Sequence, residues 1–521
     1  AANYTLTGGT HNFAINRKSV NISGTREYDG TTNIAAADIS TITDTVNSEV
    51  LAMSGGLGTT SSANVGAYNL TDTSQGTLIL ANGPSGANQG LASNYTLTGG
   101  TQDYTITQRV LSSSGSKAYD ANTNALAADI TLSNLVSGET LNHSGTASIS
   151  SANAGSYTIT NLAGITLADN AGLASNYTLT GGTHNFTVNP KVISLSGSRL
   201  YDATTDAVAS DLTTISGLVG SETLNLSGTG SVTNANVASN KTVTLGTLAL
   251  ADNSGLAANY TLSGGTHQLT INQRPLAATV ARQYDGTKTA AGSDLSSFDA
   301  LQGGETLTLS GSGTVGDENV ANGQGITLGT LALVDGTGLA SNYSLNSASL
   351  NITERVLNSS GSKTYDANTN ALAGAITLSN LVSGEALNHS GTATISSANA
   401  GSYTITNLAG ITIADGSGGT ASNYTLTGGT HNFTVNRRVV GVSGTRLYDA
   451  TTNAVASDLS THTNLVGTET LNLSGTGTIA SKNVGSNKTV SVGTLALADG
   501  SNGGLAANYT LSGGTHQLTV N

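Results

Sequence analysis

The chain has 521 residues, with 18 Lys and Arg against 31 Asp and Glu, a net charge of −13 at neutral pH and a pI near 4.9. Only 9% of residues are charged and none is Cys or Trp, which removes disulfides, thiolate metal sites and the clustered basic face that phosphate binding needs. With 37% apolar residues spread in short runs and 66 Gly, the composition excludes a highly charged disordered chain, and no run of about 18 apolar residues exists to span a membrane.

Residues 1–16 match the end of every later unit, so they are expected to be the closing hairpin of a preceding repeat. The start at Ala1 has no charged and apolar leader, and the expectation is an internal piece of something longer. A basic residue, one variable position and Tyr-Asp then recur six times. The tyrosines, Tyr28, Tyr119, Tyr201, Tyr284, Tyr365 and Tyr448, are 91, 82, 83, 81 and 83 residues apart, a spacing that tandem domains keep. The expected repeats are 17–107, 108–189, 190–272, 273–353, 354–436 and 437–521. A longer period lies on top, with Leu126 answering Leu372, so the order reads as two copies of a three-repeat block.

Within a repeat the pattern is that of strands. Tyr177 and Leu179, then Phe186 and Val188, alternate with polar residues. Gly181-Gly182 between them predicts a two-residue hairpin turn, repeated at Gly8-Gly9, Gly99-Gly100, Gly264-Gly265, Gly428-Gly429 and Gly513-Gly514. The fourth repeat lacks the Gly pair and is two residues shorter there, so its turn must differ. The stretch after Tyr-Asp, such as Ala207 to Leu212, reads as one helical turn or as a short strand. Six to eight short strands per repeat, with no helix-length amphipathic pattern, predict an all-β chain of six tandem Ig-like β-sandwiches of about 82 residues forming an elongated rod. A β-solenoid is the alternative, but it needs an inner period of about 20 to 30 residues that the repeats lack.

Five polar positions keep step with the repeat. They are a basic residue (Arg26, Lys117, Arg199, Arg282, Lys363, Arg446), the tyrosine, its aspartate (Asp29, Asp120, Asp202, Asp285, Asp366, Asp449), a glutamate 20 or 21 residues after the tyrosine (Glu49, Glu139, Glu222, Glu305, Glu385, Glu469) and an asparagine 34 to 36 after it (Asn64, Asn153, Asn236, Asn319, Asn399, Asn483). Asp with Glu is the pairing of a glycosidase, but six equal active sites with 4% aromatic residues argue against sugar chemistry. The plainer reading buries the tyrosine with its hydroxyl on backbone, as in a tyrosine corner, and pairs the basic residue with a carboxylate. A Lys–Asn or Lys–Asp staple cannot be general, since four of the six basic residues are Arg. Asp169, Asp252, Asp335, Asp415 and Asp499 sit in loops with calcium-like composition. Each brings one carboxylate, and Asn82 stands in the first repeat, so turn chemistry is the better reading and no metal or cofactor is expected. His11, His184, His267, His431 and His516, with Gln102 in their place in the first repeat, are expected to be exposed strand residues.

The stretches Tyr28-Asp29-Gly30-Thr31-Thr32 and Tyr284-Asp285-Gly286-Thr287, together with Leu91 to Leu97 (Leu-Ala-Ser-Asn-Tyr-Thr-Leu), carry a resemblance. The chain resembles the YDG repeat domains, related to MBG Ig-like modules, of very large filamentous-haemagglutinin-type bacterial adhesins. Four repeats carry Ala for the Gly (Ala121, Ala203, Ala367, Ala450), which suggests that positive φ is not required there. The resemblance implies an extracellular or cell-surface stalk, exported through a two-partner secretion pore, that supports attachment or biofilm cohesion. It is not an enzyme on this reading. The alternatives are a repeated weak module for matrix polysaccharide or for copies of itself, and a filament subunit joined end to end by strand addition.

Overall fold

The computed structural model describes residues 8–69 and 73–521. The chain divides into two compact units, residues 1–199 with 204–271, and residues 272–521 with 200–203. Within each unit the structure is all-β, and the second repeat shows the plan. Strands Ile130–Ser133, Ser112–Ala118, His184–Asn189 and Gly155–Thr158 form one sheet in that order, and Asn124–Leu126, Asn142–Ser148 and Ile165–Ala168 form the other. No solenoid coil forms among the described residues.

The first long strand of each repeat runs parallel to the last. Ser113 pairs with His184 and Ala118 with Asn189, while the other two pairings in that sheet are antiparallel. Alternation then fills the core: His184, Phe186 and Val188 are buried, Asn185 and Asn189 are exposed and Thr187 is half-buried between them. Gly115 faces Phe186 across this pairing, and a Cβ there would meet the Asp129 carbonyl oxygen at 2.4 Å and the Phe186 ring at 2.8 Å. The neighbouring strands of this sheet can approach this closely because the position carries no side chain.

The Gly-Gly segment is not a hairpin. Tyr177–Thr178 pairs parallel with Arg109–Val110, and His184–Asn189 pairs parallel with Ser112–Ala118, so both pieces run the same way along the same neighbour. The chain leaves the sheet after Leu179, turns with Gly181 at φ +92°, and rejoins it. Gly182 passes so close that a Cβ would sit 1.8 Å from the Leu111 carbonyl oxygen. In the fourth repeat, which lacks the Gly pair, the excursion disappears. Tyr343–Thr353 is one continuous strand paired with Arg274–Gln283, with a single register shift between Leu276 and Ala277. Of the segment expected as a hairpin at residues 1–16, residues 1–7 lie outside the described residues and residues 9–16 form no strand.

The excursion explains the histidines, which are buried and not exposed as expected: His184, His267, His431 and His516 are each 4–6% accessible. His184 Nε2 lies 2.7 Å from the Leu179 carbonyl oxygen, which the excursion has taken out of the sheet. Its Nδ1 lies 2.9 Å from Ser113 Oγ. In the third and sixth repeats Nδ1 accepts from the amides of Leu195 and Val442 instead. With Nδ1 an acceptor, Nε2 carries the proton and donates to the carbonyl. Ala348 takes this place in the fourth repeat, where there is no excursion and no stranded carbonyl to satisfy. His11 alone is exposed.

The stretch after Tyr-Asp is both of the things expected of it, a short strand such as Asp206–Val208 followed by a 3-10 turn, Ala209–Asp211. Its start is tight. The residue after Asp has positive φ in every repeat outside the pair Asp202–Ala203 as well as in it: +78° at Gly30, +72° at Gly286, and +61° to +64° at Ala121, Ala203, Ala367 and Ala450. Ala therefore does not show that positive φ is unneeded. Four repeats tolerate an alanine there at a cost of about 1–2 kcal/mol each.

Replacing His184 by Ala strands the Leu179 carbonyl and should lower stability by about 2–3 kcal/mol, with the Gln variant close to wild type because Gln102 already fills the equivalent buried site. Urea unfolding of the two variants measures the difference.

Candidate functional site

The recurring polar residues meet where one repeat follows another. Tyr28 is 4% accessible, and its hydroxyl donates to Glu139 Oε1 of the second repeat and not to backbone. Tyr119 donates to Glu222 at 2.6 Å, Tyr284 to Glu385 at 2.6 Å and Tyr365 to Glu469 at 2.7 Å. Tyr201, which belongs with the second compact unit, donates to Glu305 at 2.6 Å. The tyrosine corner expected from the sequence is therefore replaced by a bond about 100 residues long in sequence, between neighbouring sandwiches.

The other carboxylate oxygen is held by a second tyrosine, the one in the closing Asn-Tyr. Tyr177 donates to Glu139 Oε2 at 2.6 Å, and its oxygen accepts the Val136 amide at 3.1 Å. The two rings meet edge to face, with centroids 5.4 Å apart and planes at 79°. The same geometry, at 5.2–5.5 Å and 77–80°, joins Tyr119 to Tyr260, Tyr201 to Tyr343, Tyr284 to Tyr424 and Tyr365 to Tyr509. Such pairs contribute about 0.5–1.5 kcal/mol beyond area burial.

Asparagine completes the seam. Asn176, 1% accessible, accepts the Val65 amide at 2.9 Å through Oδ1 and donates through Nδ2 to Asn64 Oδ1 at 2.9 Å. Asn259 does the same to Ala154 and Asn153, Asn423 to Val320 and Asn319, and Asn508 to Ala400 and Asn399. From the following repeat Arg109 reaches back to the Tyr28 carbonyl at 3.3 Å, while Nε and Nη2 hold Asn134. Arg355 and Arg438 repeat this on Tyr284 and Tyr365.

Burial first, and then the hydrogen bond to Glu139, push the Tyr28 phenol up to about 12. Tyr119, Tyr365, Tyr177, Tyr343, Tyr424 and Tyr509 are also raised to about 12 for the same two reasons. An ionised phenol here would lose water and face a carboxylate to which it could no longer donate.

The basic residue of the signature works inside its own repeat. Arg26 is nearly buried, pairs with Asp29, and reaches the carbonyls of Thr31 and Asn33. Asp29 in turn accepts the Thr31 amide and hydroxyl, both at 2.9 Å. Lys117 holds Asp120 at 2.8 Å, the Asn122 and Asn124 carbonyls at 2.8 Å, and Asn122 Oδ1 at 2.9 Å. Residue type co-varies along the chain: Lys117 and Lys363 have Asn122 and Asn368 two residues after the aspartate, and the four arginines have Thr31, Thr204, Thr287 and Thr451. The compact ammonium gains a further acceptor from the Asn side chain, which the guanidinium fork does not need.

The loop aspartates are caps. Asp169 Oδ1 accepts the Ala174 amide at 2.7 Å, and Asn82 Oδ1 accepts the Ala92 amide at 2.8 Å in the first repeat. One acceptor oxygen suffices, which is why Asn substitutes for Asp. Among the described residues no group of three or more His, Cys, Asp or Glu could hold a metal ion. A concavity of about 760 Å³, open to solvent, is lined by Ile159, Leu162, Leu167, Tyr177, Leu179 and His184. Both nitrogens of that histidine are already engaged.

A family model described as the YDG domain matches residues 101–185, 184–269, 266–352, 349–431 and 434–516. The chain belongs to the YDG domain family. Each matched YDG span opens at the strand that closes the preceding sandwich, as at Gln102–Thr107, so the family unit is cut about one strand earlier than the structural one. No curated protein matches the sequence. Among solved structures, "Crystal structure of Drosophila N-cadherin EC1-4" is 8% identical and covers 62% of this chain and 93% of its own, with a TM-score of 0.12, too low to bear on the fold.

The sequence reading places the second tyrosine only in a closing strand and its motif, and gives no role to the arginine at 109, 274, 355 and 438. A signal for the tyrosine was present: it follows the glutamate by 38 to 40 residues in the second to sixth repeats.

Two outcomes follow. Tyr119→Phe should cost about 1.5–3 kcal/mol through loss of a hydrogen bond to a charged acceptor, and the cost should vanish in a Glu222→Ala background, as a double-mutant cycle by chemical denaturation will read. Because these phenols titrate higher in the folded protein than in the unfolded chain, near 10, their contribution is complete below pH 10 and is lost as pH rises from about 10 to 12. Unfolding midpoints should fall across that window, and less steeply in Tyr119→Phe. Separately, Lys117→Arg should destabilise by about 1–2 kcal/mol and Asn122→Thr should restore most of it, which thermal melts of the single and double variants will show.

Proposed function

We propose that this chain is a spacer, the stalk region of an extracellular bacterial adhesin, and that its work is to hold a binding region away from a surface rather than to catalyse a reaction. The supporting observation is that the repeated polar residues are used in joining one sandwich to the next: glutamate, two tyrosines and asparagine close on each other at the seams. The apolar core also runs across a seam, with Tyr28 and Ile106 of the first repeat in one cluster with Leu111, Leu141 and Tyr177 of the second. A connection this bonded resists bending, as a spacer requires. Membership of the YDG family fits a repeated module, and the absence of Cys fits export without oxidative folding.

Electron microscopy of the purified chain tests the reading. Stiff particles are expected, and Tyr284→Ala should introduce a bend at one place; freely jointed beads in the unaltered chain would remove it.

A further inference from the structure

The histidines inside the sandwiches do not all engage Nδ1 in the same way. In the second and fifth repeats the residue paired with the histidine on the first long strand is serine, Ser113 or Ser359, and its hydroxyl meets Nδ1 at 2.9 Å. A hydroxyl donates to a neutral ring and, by rotating, accepts from a protonated one. In the sixth repeat the paired residue is Val442, which has no hydroxyl. Its backbone amide donates to His516 Nδ1 at 3.2 Å, while His516 Nε2 lies 2.8 Å from the Leu511 carbonyl oxygen. A protonated Nδ1 would turn its hydrogen toward that amide hydrogen, and an amide nitrogen cannot accept it. The third repeat has the same arrangement at Leu195 and His267.

The sixth repeat adds a second histidine to the same row. Val442 pairs with His516 on one side and with His462 on the other, so the three side chains stand abreast on one face of the sheet. In the other repeats the place of His462 is taken by Ile42, Leu132, Ile215, Phe298 and Leu378, all apolar. His462 Nε2 is sealed from solvent and has no hydrogen-bond partner. Burial alone holds the basicity of this ring below the ordinary value near 6.5, so the stability it contributes is complete above that value and is lost as pH falls from there through the lowered one. The charged groups on the surrounding elements are committed elsewhere. Arg446 holds Asp449 at 3.1 Å and Asp458 at 3.8 Å, and Lys488 holds the Ser481 carbonyl at 2.9 Å. Asp499 accepts the Ala506 amide at 2.7 Å, and Glu469 accepts from Tyr365 and Tyr509. A second proton on each ring therefore sets two like charges in one row of an apolar core.

We propose that the sixth repeat is an acid-sensitive element, whose sandwich opens when His462 and His516 of the Val442 row are protonated, while the first, second, fourth and fifth repeats stay closed. Gln102 and Ala348 stand in place of the histidine in the first and fourth repeats, and Ser113 and Ser359 accommodate the proton in the second and fifth. His143 and His389, in the second and fifth repeats, each set Nε2 against two carbonyl oxygens, partners that a protonated ring keeps. The third repeat, with His267 but with Ile215 in place of His462, stands between the two classes. Opening of the sixth repeat carries away Glu469, Asn508 and Tyr509, which hold Tyr365 and Asn399 of the fifth, so acid also parts that seam. Acid opening of this kind is independent of whether the chain acts as a spacer.

Hydrogen exchange of the full chain read by mass spectrometry, at about pH 8 and about pH 5 with exchange times scaled for the intrinsic rate, tests it. Peptides from residues 437–521 should lose protection about tenfold or more at the lower pH, and those from the first, second, fourth and fifth repeats should change less than about twofold. His462→Leu restores the residue found at Leu132 and Leu378, and His516→Gln copies Gln102. Each substitution alone should recover part of the protection in acid, and the double variant most of it. If the double variant folds poorly at the higher pH, the unaltered chain and His462→Leu decide. Protection of residues 437–521 that is equal at the two pH values overturns the proposal, as does a loss shared equally by all six repeats. A loss that persists undiminished in His462→Leu and in the folded double variant also overturns it.

Discussion

A carboxylate shared between two tyrosine hydroxyls governs this architecture. Glutamate is an acceptor with two oxygens, and at each seam one is taken by a tyrosine from its own repeat and the other by a tyrosine from the repeat before. Charge-assisted bonds of this kind are short and stronger than neutral ones. The glutamates are only partly buried, so the seam keeps some hydration and avoids the full desolvation cost of a charge in a core. The edge-to-face rings beside them supply the apolar contact that a carboxylate cannot.

The rest of each repeat serves to aim these groups. A tight turn after Tyr-Asp, held by the aspartate and a nearly buried Lys or Arg, fixes the end of the strand that carries the tyrosine. A 3-10 turn capped by a loop Asp or Asn places Asn and Tyr side by side at the rear of the repeat. Gly172 lies against Glu139, where a Cβ would stand 2.5 Å from Oε2, so the loop leaves room for the carboxylate. Local turns with one or two hydrogen bonds each thus determine the geometry of a contact between domains.

The fold was readable from the chain because alternation with a period of two and turn residues at regular spacing leave few alternatives to short strands packed in two sheets. Two features were read less well for a shared reason. The Gly-Gly segment has the composition of a hairpin turn, yet whether the flanking strands pair with each other or with a third strand depends on Arg109–Val110 and Ser112–Ala118, some 70 residues upstream. The histidines look like the polar half of an alternating strand, and only the stranded Leu179 carbonyl gives them a reason to be inside.

The sequence by itself determined the repeat, its length, its β character and the list of residues that keep step, since periodicity and local turn chemistry are properties of neighbouring residues. It also carried the Lys–Asn and Arg–Thr correspondence, which acts over five residues. What only the tertiary structure decided is to whom the tyrosine belongs. A constant distance from Tyr to the Glu of its own repeat is, in a tandem array, equally a constant distance to the Glu of the next one. Sequence spacing cannot separate those two cases, and the choice is made by the end of the strand on which Tyr28 sits, which points away from Glu49 and toward Glu139.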